Sequence, residues 1–394
     1  MDGPAAPQPV RELLGELLGE LDLAAPYELV EVCDAWLRRR VGARWSRLLL
    51  VDYSQTILEP VPESGSGPGE RHVVAEGPAG LCYREQRVVG STGAEGSDAV
   101  LFVPVTIRAE RLGVLMVGLD HPVGGTVEDL LTDASRVLAH VLASARRYTD
   151  RFEMLRRRKD LGLAAEIQWE LLPVLAYELP AFSIAGALEP AYDIGGDTFD
   201  YAVSSTRLTI SITDAVGHGL RAALLGSLAV TAMRNARRSG EGVLAQAEAA
   251  NQHLTEQFPG ASFVTGQLME IDVVSGEAVV INAGHPAPLL LRGGVVEEVE
   301  LSPEPPLGLK TGPAYRLQRL GLRHGDRLLL LTDGIAEAHE RGSPAFGLER
   351  VVELLLERRR LPPAEFVRHL TGEVQEFRGG DLSDDATAVC LDWH

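Results

Sequence analysis

Three short apolar runs in the C-terminal half of the chain each meet an aspartate where the run stops or starts. Asp214 closes the run 208–213 (LTISIT), Asp333 closes 327–332 (RLLLLT), and Asp384 with Asp385 leads into 386–391 (ATAVCL). A fourth, Asp197, follows Gly195-Gly196 and opens 198–203 (TFDYAV). Runs of this length and content predict strands. A carboxylate at the end of a buried strand is held rigidly at the rim of a core, and several such ends on neighbouring strands can converge on one point. Clustered carboxylates raise one another's pKa unless cations lie between them. An oxygen-only donor set without His or Cys selects a hard cation, Mg²⁺ or Mn²⁺. Any one of these aspartates alone reads as a turn or cap, Asp333-Gly334 above all. The four together carry the expectation of a shared site.

The surrounding pattern predicts further strands at 183–190, 262–272 and 277–283, with helices at 219–238, 241–257, 346–359 and 363–377. Antiparallel strands with inserted helix pairs make an α+β sandwich, not a parallel array. Ahead of this, Leu13, Leu14, Leu17, Leu18 and Leu21 mark an amphipathic helix, and a second spans about 29–40. Strands follow at 47–53, 99–107 and 112–119, with a Gly/Pro/Ser-rich loop at 59–70, so residues 1–148 predict an α/β sensor domain.

From Val127 to Leu172 the pattern predicts nearly continuous helix, Gly162 being its only Gly or Pro. Ala134, Leu138, Val141, Ala145, Tyr148, Phe152 and Leu155 alternate four and three apart, an a/d seam. Such a seam needs a partner helix, which predicts a parallel homodimer, with packing on its own N-terminal domain as the alternative. The register is lost at 156–160, and a second stripe, Leu163, Ile167 and Leu171, is expected to dock on the catalytic domain. The chain thus divides into a sensor domain (1–148), a connector helix (149–176) and a catalytic domain (177–394).

The net charge of −19 over 394 residues argues against a nucleic-acid surface. Three widely spaced cysteines form neither a disulfide framework nor a metal motif, and Cys390 reads as core. The N-terminus lacks a signal-peptide pattern. No stretch approaches the roughly 18 apolar residues that span a bilayer. The expectation is a cytoplasmic protein without a membrane partner.

The blocks at 191–201, 212–228, 263–291, 325–338 and 383–392, in this order, resemble SpoIIE-like phosphatases, the bacterial branch of the PPM (protein phosphatase 2C-like) family. The lead-in 166–173 (EIQWELLP) is similar to the helix that enters that family's catalytic domain. The segment 103–117 (VPVTIRAERLGVLMV) resembles a GAF domain. The family resemblance implies an αββα sandwich of two antiparallel sheets and a protein serine/threonine phosphatase using two Mn²⁺ or Mg²⁺ ions. By the same resemblance Asp214 bridges the ions, with the Ala215 carbonyl available to one. Asp333 and Asp384 ligate the second ion, and Asp197 supports the first. The implied substrate is a phosphorylated STAS-domain anti-sigma-factor antagonist in a partner-switching pathway.

Where animal-type members carry a His two residues after the bridging Asp, this chain has Val216. His218 is a candidate proton donor to the leaving group, and its alternative is a structural role at a helix start. His285, in 282–286 (NAGHP), is expected to shape a turn near the site. Two other readings compete. Gly195-Gly196-Asp197-Thr198-Phe199 resembles a diguanylate cyclase signature, but Thr198 stands where that motif needs an acid. A phosphatase fold that only binds a partner is the non-enzymatic alternative. The isolated His72, His121 and His140 read as surface or core residues.

Overall fold

A computed structural model describes residues 9–62, 69–92, 99–120, 124–189, 195–260, 262–311, 315–338, 345–378 and 385–394. The chain divides into two compact units, Met1–Lys159 and Asp160–His394. In the first, α1 (Val10–Leu23) and α2 (Leu29–Val41) lead into β1 (Ala43–Val51), β2 (Ile57–Pro60) and β3 (His72–Val73). Then come α3 (Gly77–Glu85), β4 (Val89–Thr92), β5 (Ala99–Ile107), β6 (Glu110–Leu119), α4 (Gly125–Ala145) and α5 (Arg151–Arg156). The strands form one antiparallel sheet, β3-β2-β1-β6-β5-β4. Strand alternation sends Leu101, Val103 and Val105 toward α1, α2 and α4, and Phe102 with Val114 toward α3.

The expected continuous helix is broken twice, at 146–150 and at 157–162. Thr149 Oγ1 accepts from the Arg151 backbone N–H, a local alternative to helical bonding that starts α5 afresh. Glu153 then accepts from Tyr53 Oη at 2.6 Å and from Arg146, while Arg156 Nε donates to the Val51 carbonyl at 3.0 Å. These bonds tie α5 to the end of β1. The expected seam is likewise consumed within its own unit. Ala134, Leu138, Ala145 and Phe152 are buried in the first unit's core, together with Leu131, Ala139 and Leu142, which widen the stripe beyond a and d. Tyr148, 76% exposed, lies off that face. The observation that suggested a homodimer is therefore accounted for by packing on the unit's own sheet. Residues 149–176, expected as a separate connector, are shared between the two units.

The second unit opens with α6 (Leu163–Leu171), β7 (Ala176–Leu179), β8 (Phe182–Glu189), β9 (Thr198–Val203) and β10 (Arg207–Ala215). A helical pair, α7 (Leu220–Arg238) and α8 (Val243–Gln257), precedes β11 (Val264–Asp272) and β12 (Glu277–Ala283). Next come β13 (Leu289–Arg292), β14 (Val295–Glu298), β15 (Gln318–Gly321) and β16 (Arg327–Leu331). The unit closes with α9 (Asp333–Ala336), α10 (Gly347–Glu357), α11 (Pro363–Phe377) and β17 (Ala386–Trp393). Two antiparallel sheets, β15-β12-β11-β10-β9 and β14-β13-β16-β17-β8-β7, face each other. Leu208, Ile210 and Ile212 of one meet Leu328, Leu330, Val389 and Leu391 of the other. The outer face of the first sheet is covered by α7 and α8, through Ala222, Leu225, Ala229 and Val243. Helix α11 lies against β8 and β17, and the result is four α-β-β-α layers. Cys390 is core, and no described helix is long and apolar enough to cross a membrane.

Candidate active site

Side chains two apart on a strand share a face, so Asp214 continues the inner file Leu208, Ile210, Ile212 to the end of β10. Asp197 shares the parity of Phe199 and Tyr201 on β9, and Thr332 that of Leu328 and Leu330 on β16. Asp385 and Thr387 continue the file Val389, Leu391, Trp393 on β17. Pleat alternation thus delivers these polar groups to one end of the inter-sheet seam.

Hydrogen bonds cross that seam. Thr332 Oγ1 donates to Asp197 Oδ2 at 2.6 Å and accepts from the Thr387 N–H at 3.0 Å. Asp385 accepts through Oδ1 from the Gly195 N–H at 2.7 Å and through Oδ2 from the Asp197 N–H at 3.2 Å. It therefore shapes the Gly-Gly-Asp loop. From outside the sheets, the buried Gln168 of α6 donates through Nε2 to the carbonyls of Asp197 at 2.8 Å and Gly195 at 3.3 Å. The C-terminal end of α6 is held by Arg234 Nη2, which bonds the Leu171 carbonyl at 2.6 Å and Asp200 at 2.7 Å.

The glycines here are fixed by proximity. A Cβ on Gly196 would lie 2.5 Å from the Ala215 carbonyl oxygen, and one on Gly195 would lie 2.8 Å from Asp385 Oδ2. A Cβ on Gly334 would stand 1.7 Å from the Asp385 carbonyl oxygen, so Asp333-Gly334 is a docking point between α9 and β17. Arg378, itself buried, donates to the Gly334 carbonyl. Asp333 is half-buried at the start of α9, directly after Thr332.

Asp197 is 3% exposed, and its pKa is raised well above the usual carboxylate value. Burial is the largest cause, followed by the charges of Asp385 and Asp214; hydroxyls of Thr332 and Thr387 oppose it. His285, also buried, hydrogen-bonds through Nδ1 to Thr265 Oγ1 at 2.9 Å, and Thr265 pairs with Asp214 across β10 and β11. Burial lowers its pKa to about 4, the backbone of Leu331 opposing this in part. The ring thus stands neutral between the strand ends that lead to Asp214 and Asp333. Its backbone N–H donates to Asn282 Oδ1 at 2.8 Å, the turn expected of the 282–286 block.

Of the sequence-derived residues, Asp197, Asp214 and the Ala215 carbonyl come together, with Asp333 one residue beyond Thr332. Asp384 lies outside the described residues. His218 is exposed between Gly217 and Gly219, in the loop joining β10 to α7. Among the described residues no three His, Cys, Asp or Glu side chains form a group that could hold a metal ion. The stripe on α6 meets expectation in part: Leu171 packs against the core of the second unit and Ile167 is half-buried. Leu163 is 63% exposed, and the buried positions are Ala165 and Gln168, three apart. Sequence reasoning passed over Gln168, Thr332, Thr387 and the positioning role of Asp385. A polar side chain on the buried face of an otherwise apolar helix was the available signal for Gln168.

Facing antiparallel sheets clad by helices, with acids gathered at one end of the seam, define the fold class of the protein phosphatase 2C domain. The solved SiaA-PP2C domain of Pseudomonas aeruginosa shares that fold with a TM-score of 0.50 and 22% identity, over 59% of this chain and 94% of that one. Residues 204–394 match the family Stage II sporulation protein E (SpoIIE). Protein IcfG of Synechocystis sp. is 24% identical over 269 residues, 59% of this chain and 41% of that protein. Phosphoserine phosphatase RsbP of Bacillus subtilis is 25% identical over 190 residues, 46% of each. The chain spans less than half the length of either of these relatives.

Proposed function

We propose that this chain is a metal-dependent protein serine/threonine phosphatase. The carrying observation is the buried Asp197, under the charges of Asp385 and Asp214 and beside the Ala215 carbonyl, next to the stretch that matches the SpoIIE family. The donor set fits a hard divalent cation, since every candidate ligand is an oxygen. By the family resemblance, Asp197, Asp214, Asp333, Asp384 and the Ala215 carbonyl would hold two such ions. Bound Mn²⁺ or Mg²⁺ supplies a water of lowered pKa and neutralises charge on phosphoryl oxygens.

The chain's own groups set the geometry. Thr332 orients Asp197, Asp385 and Gln168 fix the backbone that carries it, and neutral His285 keeps a positive charge out of the seam. His218, exposed four residues after Asp214, is the candidate to protonate a departing serine or threonine oxygen.

The substrate is a phosphoserine or phosphothreonine protein, and the family resemblance points to a phosphorylated STAS-domain anti-sigma-factor antagonist in the cytoplasm. The first unit, a helix-clad antiparallel sheet, serves as a GAF-like sensor. Hydrolysis of p-nitrophenyl phosphate and of a phosphoserine peptide, with Mn²⁺ and with excess chelator, tests the reading. Activity should vanish with chelator and fall at least a hundredfold in Asp214→Asn. Full activity in chelator would overturn it.

A further inference from the structure

The chain carries 37 Lys and Arg against 56 Asp and Glu. One cavity of 520 Å³ in the first unit reverses that balance. Its lining includes Arg87, Arg108, Arg136 and His140 and no carboxylate. Thr132, Arg136 and His140 follow one another at four-residue spacing, so they form a single file along α4. The facing wall is built from the end of α3 and from β5 beyond Phe102, where β4 ceases to pair with it. Gln86 joins the two parts of that wall, its Oε1 accepting from Thr106 Oγ1 at 2.5 Å and its Nε2 donating to the Tyr83 carbonyl at 2.7 Å.

Backbone conformation singles out the same cavity. Only three described residues other than glycine have positive φ, and two of them, Gln86 (52°) and Arg108 (54°), line it. Arg108 occupies the first position of the two-residue turn between β5 and β6, where Gly, Asn or Asp is favoured. A long cationic side chain kept in a conformation that costs about 1 kcal/mol or more points to a use for the guanidinium. Arg87 and Arg136 pair with Glu85 and Asp133, but these are exposed pairs, which an incoming dianion can displace at little cost.

We propose that this cavity binds a small phosphorylated anion. Planar guanidinium groups match phosphate oxygens in bidentate geometry, and three of them balance a multiply charged group. Phe, Tyr and Trp are absent from the lining residues, so the cavity offers no large aromatic face for stacking a base. That favours an aliphatic or inorganic phosphate over a nucleotide. The isolated His140 of the sequence thereby becomes part of a ligand site in the sensor unit.

Isothermal titration calorimetry on the full chain tests this, with chelator present so that the carboxylate site of the second unit takes up no metal-bound phosphate. Inorganic pyrophosphate is the probe, citrate the carboxylate control and ADP the aromatic one. The expected result is one saturable pyrophosphate site, at least tenfold tighter than citrate and no weaker than ADP. Arg108→Ala/Arg136→Ala should weaken it at least tenfold. Thr132→Glu, which adds a carboxylate without removing a cation, should do the same. Absence of saturable pyrophosphate binding, equal affinity for citrate, tenfold tighter ADP binding, or unchanged affinity in Thr132→Glu would each overturn the proposal.

Discussion

Gln168 Nε2 lies 2.8 Å from the carbonyl oxygen of Asp197, so a helix outside the sandwich holds the backbone of a carboxylate inside it. The bond is buried and spans 29 residues of sequence. Gln168→Ala leaves two buried carbonyls without their donor, a loss of about 1–3 kcal/mol. Activity at fixed low Mn²⁺ should fall at least tenfold and recover in part at high Mn²⁺, because the change acts on site geometry. Gln168→Glu should be worse, since it sets a negative charge against two carbonyl oxygens. A Mn²⁺ titration of both variants checks this, and unaltered curves would remove α6 from the account of the site.

Asp197→Asn should move stability and activity in opposite directions. The carboxyl's raised pKa means that folding favours its protonated form, so at neutral pH without metal its charge opposes folding. The amide removes that charge while keeping an acceptor for Thr332. In chelator the variant should unfold at higher temperature than wild type; with Mn²⁺ it should hydrolyse phosphate more slowly, by tenfold or more. Differential scanning in both buffers gives the comparison. A lower midpoint in chelator would contradict the electrostatic reading.

Gly334→Ala and Gly372→Ala form a contrasting pair. The first drives a Cβ into the Asp385 carbonyl and should cost about 1–3 kcal/mol in urea unfolding, with activity lost through the displaced neighbours of Asp333. The second lies inside α11 with nothing within 4 Å of its new Cβ, and should be neutral or stabilising by up to about 1 kcal/mol. Equal effects at the two positions would mean that contact with β17 is not what selects glycine at 334.

His285 makes stability depend on pH in a defined window. Its folded pKa, about 4, lies below the ordinary 6.5, so between these values the unfolded chain binds a proton that the folded chain does not. Stability from this group is complete above pH 6.5 and is lost as pH falls toward 4, by about 3 kcal/mol in all. Urea midpoints of wild type and His285→Asn across pH 4–7 should converge at the acid end. A parallel pair of curves would show that the ring is not buried neutral.

How much of this was legible in the sequence depends on the length of the element. Strand β10 announces itself because Leu208, Ile210, Ile212 and Asp214 alternate with polar residues over a full strand; β9 does the same, and β12 and β17 show as short apolar runs. The four-residue strands β7, β14 and β15 are too short for alternation to stand out, and they pair at sheet edges. The break at 146–150 was invisible to a search for Gly or Pro, because it rests on Thr149 and on the bonds of Glu153 to Tyr53 and Arg146. For the site, strand ends pointed to Asp197 and Asp214. They could not foretell Thr332 or Asp385 as positioning groups, whose roles exist only once the two sheets face each other.

Strand β17 lies between β16 and β8, and its partner β8 precedes it by about 200 residues. At roughly 5–20 residues per second a ribosome takes about 10–40 s to make the intervening chain. Throughout that interval β8 displays one unpaired edge carrying Phe182, Ile184 and Ala185, all destined for burial. An edge of this kind recruits other strands. The nascent protein therefore passes through a period in which neighbouring chains compete with β17 for the same ladder, and crowded polysomes are where its misassembly should begin.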